Sequence, residues 1–393
     1  MADKTGIEWT DATWNPIVGC SIVSPGCTNC YAMTMAGRIE AMGTAPHYRG
    51  TTKPSKAGAV WTGKLALAPE HILLQPLRWQ KPRRIFVNSM GDLFHEDVPD
   101  EWIDRVFAVM ALAPQHTFQI LTKRAARMRA YLTRPAGDDI QDVRNHLAWD
   151  VSSQIMSLWA PEWRSESIQG KHRSRGIGAF STWPLPNVWL GVSAEDQRRA
   201  DKRVPDLLAT PAAMRFVSAE PLLGPIDFTL LDINGDGEMD ALKPRAWNEE
   251  IGSWRGSSPT WEEDFLDWFN LSSMPSSGNL HATLDWIIVG GESGTDARPM
   301  HPDWPRQIRD GCSAAGTAFF FKQWGEWAPS ETATCQQGAL AVLCRDGQLL
   351  RGQAMATGRL DDEHAELIAK FGKAKAGRLL DGAEHNAMPE LRR

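Results

Sequence analysis

Short apolar runs alternate along the chain with longer segments whose apolar residues recur at helical spacing. The pattern is clearest after the run 84–89, where Trp102, Val106 and Met110 share one face of a helix that opens at Pro99. Further apolar runs of this kind lie at 117–121, 187–192, 214–217, 284–289 and 317–321. Buried strands that alternate with amphipathic helices are typical of βα units and a parallel sheet.

These repeated units predict an α/β fold, a partial or full parallel (β/α) barrel of six to seven units over residues 1–328. Two polar stretches interrupt the pattern, at about 135–186 and 229–283, and we interpret both as insertions. Residues 329–393 form a C-terminal extension with helical character near 363–371. An open doubly wound sheet is the alternative, but the glycine-rich turn typical of that fold does not follow the first strand.

The predicted strands end in polar or glycine residues. In a (β/α) barrel the loops after the strands meet at one face, where sites are built. Glycines such as Gly290 and Gly291 let the backbone approach a ligand closely, although a tight βα turn explains them equally well. The candidate binding residues at these strand ends are Ser89, Asp92, Ser193, Glu195, Ser218, Glu220, Gly290, Gly291, Glu292 and Lys322.

One loop contains three of the six cysteines, namely Cys20, Cys27 and Cys30. Three thiolates suit either a zinc ion or an iron–sulfur cluster. A structural zinc site normally has a fourth protein ligand, and the nearest candidate is His47. Three thiolates on a cubane cluster leave one iron open for a small molecule. Ordinary buried cysteines are the third interpretation, but a polar loop rich in Gly and Pro is a poor place for them.

Composition places the chain among ordinary globular proteins, since 42% of its residues are hydrophobic and 23% are charged. No apolar stretch approaches the length of a membrane span, and the N-terminus lacks the apolar core of a signal peptide. We therefore expect a cytoplasmic protein. In a reducing compartment, clustered cysteines are expected to be ligands and not disulfides.

The charge distribution leaves a nucleic-acid partner open. The formal net charge of −6 argues against coating of nucleic acid by bulk electrostatics. Positive charge is nevertheless concentrated at 122–134 and 164–175, with aromatic residues nearby. These segments indicate either a nucleic-acid or nucleotide partner or simply solvated helix faces.

A further motif, Asp232–Asp240, resembles the first half of a calcium-binding loop. Lys243 stands where that loop requires an acid that provides two oxygens. An Asx-rich surface turn explains the same residues, so both interpretations stay open.

Several motifs run in order from the N-terminus to about Trp327, outside the two insertions. They are Ile7–Thr10, Thr13–Pro16, the cysteine loop Gly19–Ala32, Ser89–His95, Leu121–Arg124, Trp189–Ser193, Ser218–Leu223, Gly290–Gly294 and Phe321–Gly325. Together they closely resemble a phage-associated, three-cysteine-motif protein family of largely unassigned function. That family in turn resembles the radical S-adenosylmethionine (SAM) superfamily.

This resemblance implies that Cys20, Cys27 and Cys30 hold a 4Fe–4S cluster and that SAM occupies its open iron. It also implies that Tyr31 packs beside the cluster and that the strand-end residues hold SAM and substrate. The chain departs from the commonest superfamily spacing, because six residues instead of three separate Cys20 from Cys27. The Gly-Gly-Glu motif, which normally follows the second strand, stands at 290–292.

The activity implied by the resemblance is cleavage of SAM by the reduced cluster to a 5′-deoxyadenosyl radical that abstracts hydrogen from a substrate. We expect a nucleic acid or nucleotide as substrate and an external electron donor. Two other classes stay open. One is a zinc-stabilised nucleic-acid- or partner-binding protein of phage or defence origin, without catalysis. The other is a nuclease or hydrolase that uses Asp92, His95, Glu220 and Glu292 around a hard metal ion.

Overall fold

The computed structural model divides the described chain into two compact units. The first comprises residues 1–192 with 210–214, and the second comprises 193–209 with 215–393. The residues that the structure describes are 5–56, 58–133, 184–233, 238–243, 247–248, 253–254, 282–330, 339–351 and 365–390.

Seven strands form the main sheet, and the pairs with a defined register are all parallel. Their order in the sheet is the order in the chain, which is expected when each strand is connected to the next by a crossover. The strands are β1 (Ala12–Trp14), β2 (Arg84–Val87), β3 (Thr117–Thr122), β4 (Val188–Ser193), β5 (Met214–Ala219), β6 (Trp286–Gly290) and β7 (Ala318–Gln323).

Five longer helices accompany these strands in the described residues. Their ends follow local sequence signals: Asp100 and Glu101 lie in the first turn of the second helix, and Gly43 and Gly316 end the first and fifth in the left-handed conformation. The helices are α1 (Tyr31–Met42), α2 (Asp100–Leu112), α3 (Ala125–Leu132), α4 (Gln197–Leu208) and α5 (Asp303–Ala315).

Smaller elements complete the described chain. A four-stranded antiparallel sheet in the second unit contains Trp327–Pro329, Glu366–Lys370, Ala339–Leu343 and Leu349–Leu350. The remaining short strands pair two by two: Ile17–Val18 with Ala66–Leu67, Thr52–Ser55 with Gly58–Trp61, Leu231–Asp232 with Glu238–Met239, and Trp247–Asn248 with Ser253–Trp254. Single helical turns lie at Pro25–Cys27, Pro46–Tyr48, Glu70–Leu73, Gln75–Arg78 and Lys373–Ala376.

The parallel strands and intervening helices confirm the predicted partial (β/α) barrel. The helical character expected near 363–371 is wrong, because Glu366–Lys370 is a strand. Ile368 in its middle is fully buried and pairs with strands on both sides, so tertiary pairing decides its conformation. Most of both predicted insertions, the basic segment 164–175 and the centre of the calcium-like motif lie outside the described residues. None of the helices that the structure describes is both long and apolar enough to cross a membrane.

We expect His116 to make the stability of the first unit depend on pH. Only 1% of it is exposed, and its Nε2 lies 3.0 Å from the carbonyl oxygen of Pro76. Burial, with a smaller effect from Arg83, holds the pKa of His116 below its usual value. The unfolded chain therefore binds more protons, and we expect stability to fall as pH drops below about 6.5. His116→Gln should have a flatter profile of urea midpoint against pH between about 5 and 7.5 than the unchanged protein; equal slopes would contradict this.

Candidate functional site

The cysteine loop is fixed to the end of β2 by close backbone contacts. The N–H of Gly19 donates to the carbonyl oxygen of Met90 at 3.1 Å, and Gly19 pairs with Gly91 as an isolated parallel bridge. Gly19 has a φ of 94°, and a Cβ atom there would lie 2.1 Å from the carbonyl oxygen of Lys64. Only glycine fits this position, so the loop starts from a defined point at the strand ends.

Short local turns position Cys27 and Cys30. The N–H of Cys27 donates to Ser24 at 2.9 Å, and Cys30 precedes α1 and accepts from the N–H of Met33 at 3.2 Å. Cys20, Cys27 and Cys30 are all free thiols of intermediate exposure. Cys27 is close enough to the other two to raise the pKa of both. Cys20 and Cys30 rest against a hydrophobic cluster but are not enclosed by it, unlike ordinary core cysteines.

Arg124, at the start of α3, connects the cysteine loop to the loop after β2. Its Nη1 lies 3.6 Å from the Cys20 Sγ and donates to Asp92 at 3.0 Å. Its Nη2 donates to the Ser21 hydroxyl at 2.8 Å, and its Nε donates to Glu96 at 2.9 Å. Only 4% of the Arg124 side chain is exposed, so this is a buried charge held by two carboxylates.

Asp92 accepts four hydrogen bonds from the protein. One carboxylate oxygen accepts from the Phe94 N–H at 3.0 Å and the Thr122 hydroxyl at 2.7 Å. The other accepts from the Lys123 N–H at 3.1 Å and from Arg124. A carboxylate has about four acceptor positions, so these contacts use its capacity. The structure therefore gives Asp92 the role of holding the ends of β2 and β3 together beneath the cysteine loop.

His95 supports the cysteine loop from the same side. Its Nδ1 accepts from the Asp97 N–H at 3.1 Å, so its Nε2 carries the proton and donates to the Ser21 hydroxyl at 2.8 Å. Burial, assisted by the nearby Arg124, lowers the pKa of His95 and favours this neutral form. His95 therefore orients Ser21, the neighbour of Cys20.

Tyr31 and Ser89 lie next to the loop and contact each other. The Tyr31 hydroxyl donates to the Ser89 carbonyl oxygen at 3.1 Å, and its side chain is 58% exposed. The Ser89 hydroxyl donates to the side-chain oxygen of Asn15 at 3.1 Å. Their predicted roles beside a cluster stay predictions.

Burial raises the pKa of the Cys20 thiol to about 12, and the Asp92 carboxylate adds to this effect while Arg124 opposes it. Burial also raises the pKa of Cys30. Without a bound metal, Cys20 and Cys30 are therefore protonated thiols. A metal that binds thiolates would displace their protons on binding.

In the second unit, three of the predicted acids each pair with a basic side chain. Glu195 is 1% exposed and accepts from Arg203 at 2.8 Å. Glu292 is 6% exposed and binds the Arg298 guanidinium through both oxygens, at 2.5 and 2.9 Å. These bidentate and buried contacts neutralise the carboxylates within the unit. The third acid, Glu220, contacts Lys322 Nζ at 2.8 and 3.0 Å.

The glycines at the end of β6 permit close packing of the neighbouring loops. A Cβ atom on Gly291 would lie 1.8 Å from the Trp324 carbonyl oxygen, so no other residue fits there. Gly290 lies against the Glu220 side chain. A Cβ atom added at Gly290 would lie 3.2 Å from the Glu220 Cδ. Ser193 and Ser218 are buried at the ends of their strands, where the Ser218 carbonyl oxygen accepts from the Ala194 N–H at 3.0 Å. These residues shape the strand ends, and their assignment to SAM stays a prediction.

The alternative hard-metal site finds no support in the described residues. Nowhere in them do three or more His, Cys, Asp or Glu side chains converge on a point that could hold one metal ion. Asp92, Glu220 and Glu292 are each bound to a cation of the protein instead. Thiolates of a cubane cluster bind different irons, so they need not converge in this way.

Sequence reasoning missed the residues that neutralise the predicted acids. Arg203 lies eight residues after its partner Glu195, and Arg298 lies six residues after its partner Glu292. Gln323 contacts the third acid: its amide nitrogen lies 3.4 Å from Glu220 and 3.1 Å from the Ser293 hydroxyl. The sequence signal for Gln323 is its position, as a polar residue at a strand end directly after the predicted candidate Lys322.

One family model matches the chain, over residues 4–389, and it is described as "Protein of unknown function (DUF5131)". No curated protein matches the chain. No solved structure matches it either.

Proposed function

We propose that this chain, which belongs to the DUF5131 family of proteins of unknown function, holds a 4Fe–4S cluster on Cys20, Cys27 and Cys30 and is a radical SAM enzyme. The observation that carries the proposal is the set of three free, half-buried thiols in one loop anchored at the strand ends of a partial (β/α) barrel. Strand ends are where barrel enzymes build their sites.

The donor set suits a cluster better than zinc. A structural zinc site normally has four protein ligands, and the loop supplies three cysteines; within the described residues neither these cysteines nor His47 belong to any group of three or more side chains that could hold one ion. Three thiolates are sufficient for a cluster that leaves one iron open to a small ligand. The zinc-stabilised binding protein is therefore the weaker alternative, and metal analysis separates the two.

Side chains around the loop would set the position of the cysteine ligands. Arg124 contacts the Cys20 sulfur and the Ser21 hydroxyl together, and Asp92 holds Arg124 in place. When bound, the cluster supplies one electron, received from an external donor, for reductive cleavage of SAM and hydrogen abstraction from the substrate. The half-buried thiols keep the binding position partly shielded from water, as reactive intermediates require.

A nucleic acid or nucleotide is the proposed substrate class. Tryptophan enrichment and the basic segments support it, with 18 tryptophans in the chain. In the first basic segment, of which residues 122–133 are described, Arg124 is however buried and Arg127 pairs with Asp100. These two arginines therefore serve the fold, and any nucleic-acid contact must involve other residues.

Anaerobic purification tests the proposal directly. We expect a brown protein with about four irons and four sulfides per chain and absorbance near 400 nm, as thiolate-bound clusters have. With dithionite and SAM it should release 5′-deoxyadenosine. A colourless protein with about one zinc per chain after anaerobic reconstitution would support the binding-protein alternative instead.

A further inference from the structure

A β-bulge re-aims two consecutive side chains at the end of β7. Val289 pairs with Phe321 and Gly290 pairs with Gln323, so Lys322 is the extra residue in the ladder. Consecutive side chains of a regular strand point to opposite faces. Here both reach one carboxylate: Lys322 Nζ lies 2.8 Å and Gln323 Nε2 lies 3.4 Å from the same Glu220 oxygen. Bulges that re-aim side chains in this way are common next to active sites.

Gln323 has a buried acceptor without a hydrogen-bond partner among the residues that the structure describes. The residue is 5% exposed, and its Oε1 has no hydrogen-bond partner. The amide cannot simply be turned over, because the Glu220 carboxylate only accepts hydrogen bonds and must face the amide nitrogen. An unpaired buried acceptor has a free-energy cost. A ligand that presents an N–H to this oxygen, after a small movement of the surrounding side chains, removes that cost.

The neighbouring Lys322 defines the second half of the ligand. An ammonium group has three N–H donors, and Glu220 accepts two contacts from Lys322. Lys322 can therefore present a donor beside the Gln323 acceptor. Because the ion pair carries no net charge, a neutral ligand fits without burying a new charge.

We propose that Glu220, Lys322 and Gln323 form a recognition site for the edge of a nucleobase, where a hydrogen-bond acceptor and an N–H donor stand side by side. A trans peptide group places its C=O and N–H on opposite edges, so it does not match two side chains that flank one carboxylate oxygen. Ring lactams and amidines, as in uracil and cytosine, present both on one edge. The site lies within the second unit and its binding is measured without SAM cleavage, so it can fail or succeed independently of the cluster.

The test is calorimetric titration of the full chain with uridine, cytidine and 3-methyluridine. We expect saturable binding of uridine or cytidine, and binding of 3-methyluridine at least about tenfold weaker than uridine, since it lacks the N–H that faces Gln323. Gln323→Met, which keeps the size but removes the amide, should weaken uridine or cytidine binding about tenfold or more. Gln348→Met, an exposed position in the same unit, is the matched control and should bind like the unchanged protein.

Two results would overturn the site. One is the absence of binding by both uridine and cytidine, which means that no base edge occupies the site. The other is binding that is indifferent to both Gln323→Met and the 3-methyl group. Where uridine or cytidine binds, titration of the anaerobically reconstituted chain with SAM identifies the source of the base: a dependence on Gln323 assigns the site to the cofactor's adenine, and independence of Gln323 assigns it to a substrate base. The methylated nucleoside keeps the test valid if the variant folds poorly.

Discussion

Cys27→Ala is expected to lose the cluster and, with it, SAM cleavage. Iron should fall from about four per chain to below about one after anaerobic reconstitution, because two thiolates cannot hold a cubane cluster with an open iron. The absorbance near 400 nm and the release of 5′-deoxyadenosine should disappear together. The fold should persist, since Cys27 is only half-buried and its Sγ contacts the Ser24 hydroxyl weakly, at 3.8 Å.

The matched control is Cys312→Ala. This thiol is fully buried in α5, where burial raises its pKa to about 12 and keeps it unreactive. The control should retain its iron and activity. If Cys27→Ala keeps either the cluster or SAM cleavage while its thermal unfolding is unchanged, the assignment of the cysteine loop is incorrect. Equal iron loss in both variants would point to general destabilisation and would also count against the assignment.

The repeating part of the fold follows from local signals in the sequence. The interval 117–121 predicts a strand that the structure places at Thr117–Thr122, and the helix predicted to open at Pro99 is α2, Asp100–Leu112. Apolar runs and helical spacing are properties of a few adjacent residues. They therefore identify the parallel strands and their helices without knowledge of the partners.

The C-terminal extension does not follow from such signals. Glu366–Lys370 carries Leu367 and Ile368 among charged residues, which suits either a helix or a strand. Its conformation depends on pairing with Trp327–Pro329 and Ala339–Leu343, both far away in the sequence. Strand preference is largely a matter of such cross-strand packing, which a single segment does not reveal.

The candidate site is predictable in its cysteines and strand ends but not in its ion pairs. Acidic residues at strand ends look alike in the sequence, whether they bind a ligand or a cation of the protein. The structure shows that Glu195 and Glu292 are held by arginines, whereas Glu220 shares a carboxylate oxygen between Lys322 and Gln323. This difference arises from the one-residue bulge in β7, which is a shift in the register of pairing between β6 and β7. No residue type in the sequence indicates such a shift.

Asp92→Ala is expected to destabilise the first unit strongly, even without any cofactor. The Asp92 and Arg124 side chains are 7% and 4% exposed, so removal of the carboxylate leaves a buried guanidinium short of a partner. Breaking one side of a buried pair costs about 3–5 kcal/mol of unfolding free energy. Three further donors, from Phe94, Thr122 and Lys123, lose the same acceptor. Chemical denaturation of the metal-free protein, followed by circular dichroism, measures the loss.

Asp11→Ala provides the comparison, because Asp11 pairs with Arg84 at 3.1 Å at the surface, with side-chain exposures of 46% and 39%. Exposed pairs contribute about 1 kcal/mol or less. A large loss for Asp92→Ala alone supports the role of Asp92 as the residue that holds the strand ends beneath the cysteine loop. The sequence-based hypothesis that Asp92 binds SAM predicts the opposite: a metal-free variant as stable as Asp11→Ala, with SAM binding lost after the cluster is restored. Because the first effect is measured without cofactor and the second only with it, the two roles for Asp92 give different results in the same pair of variants.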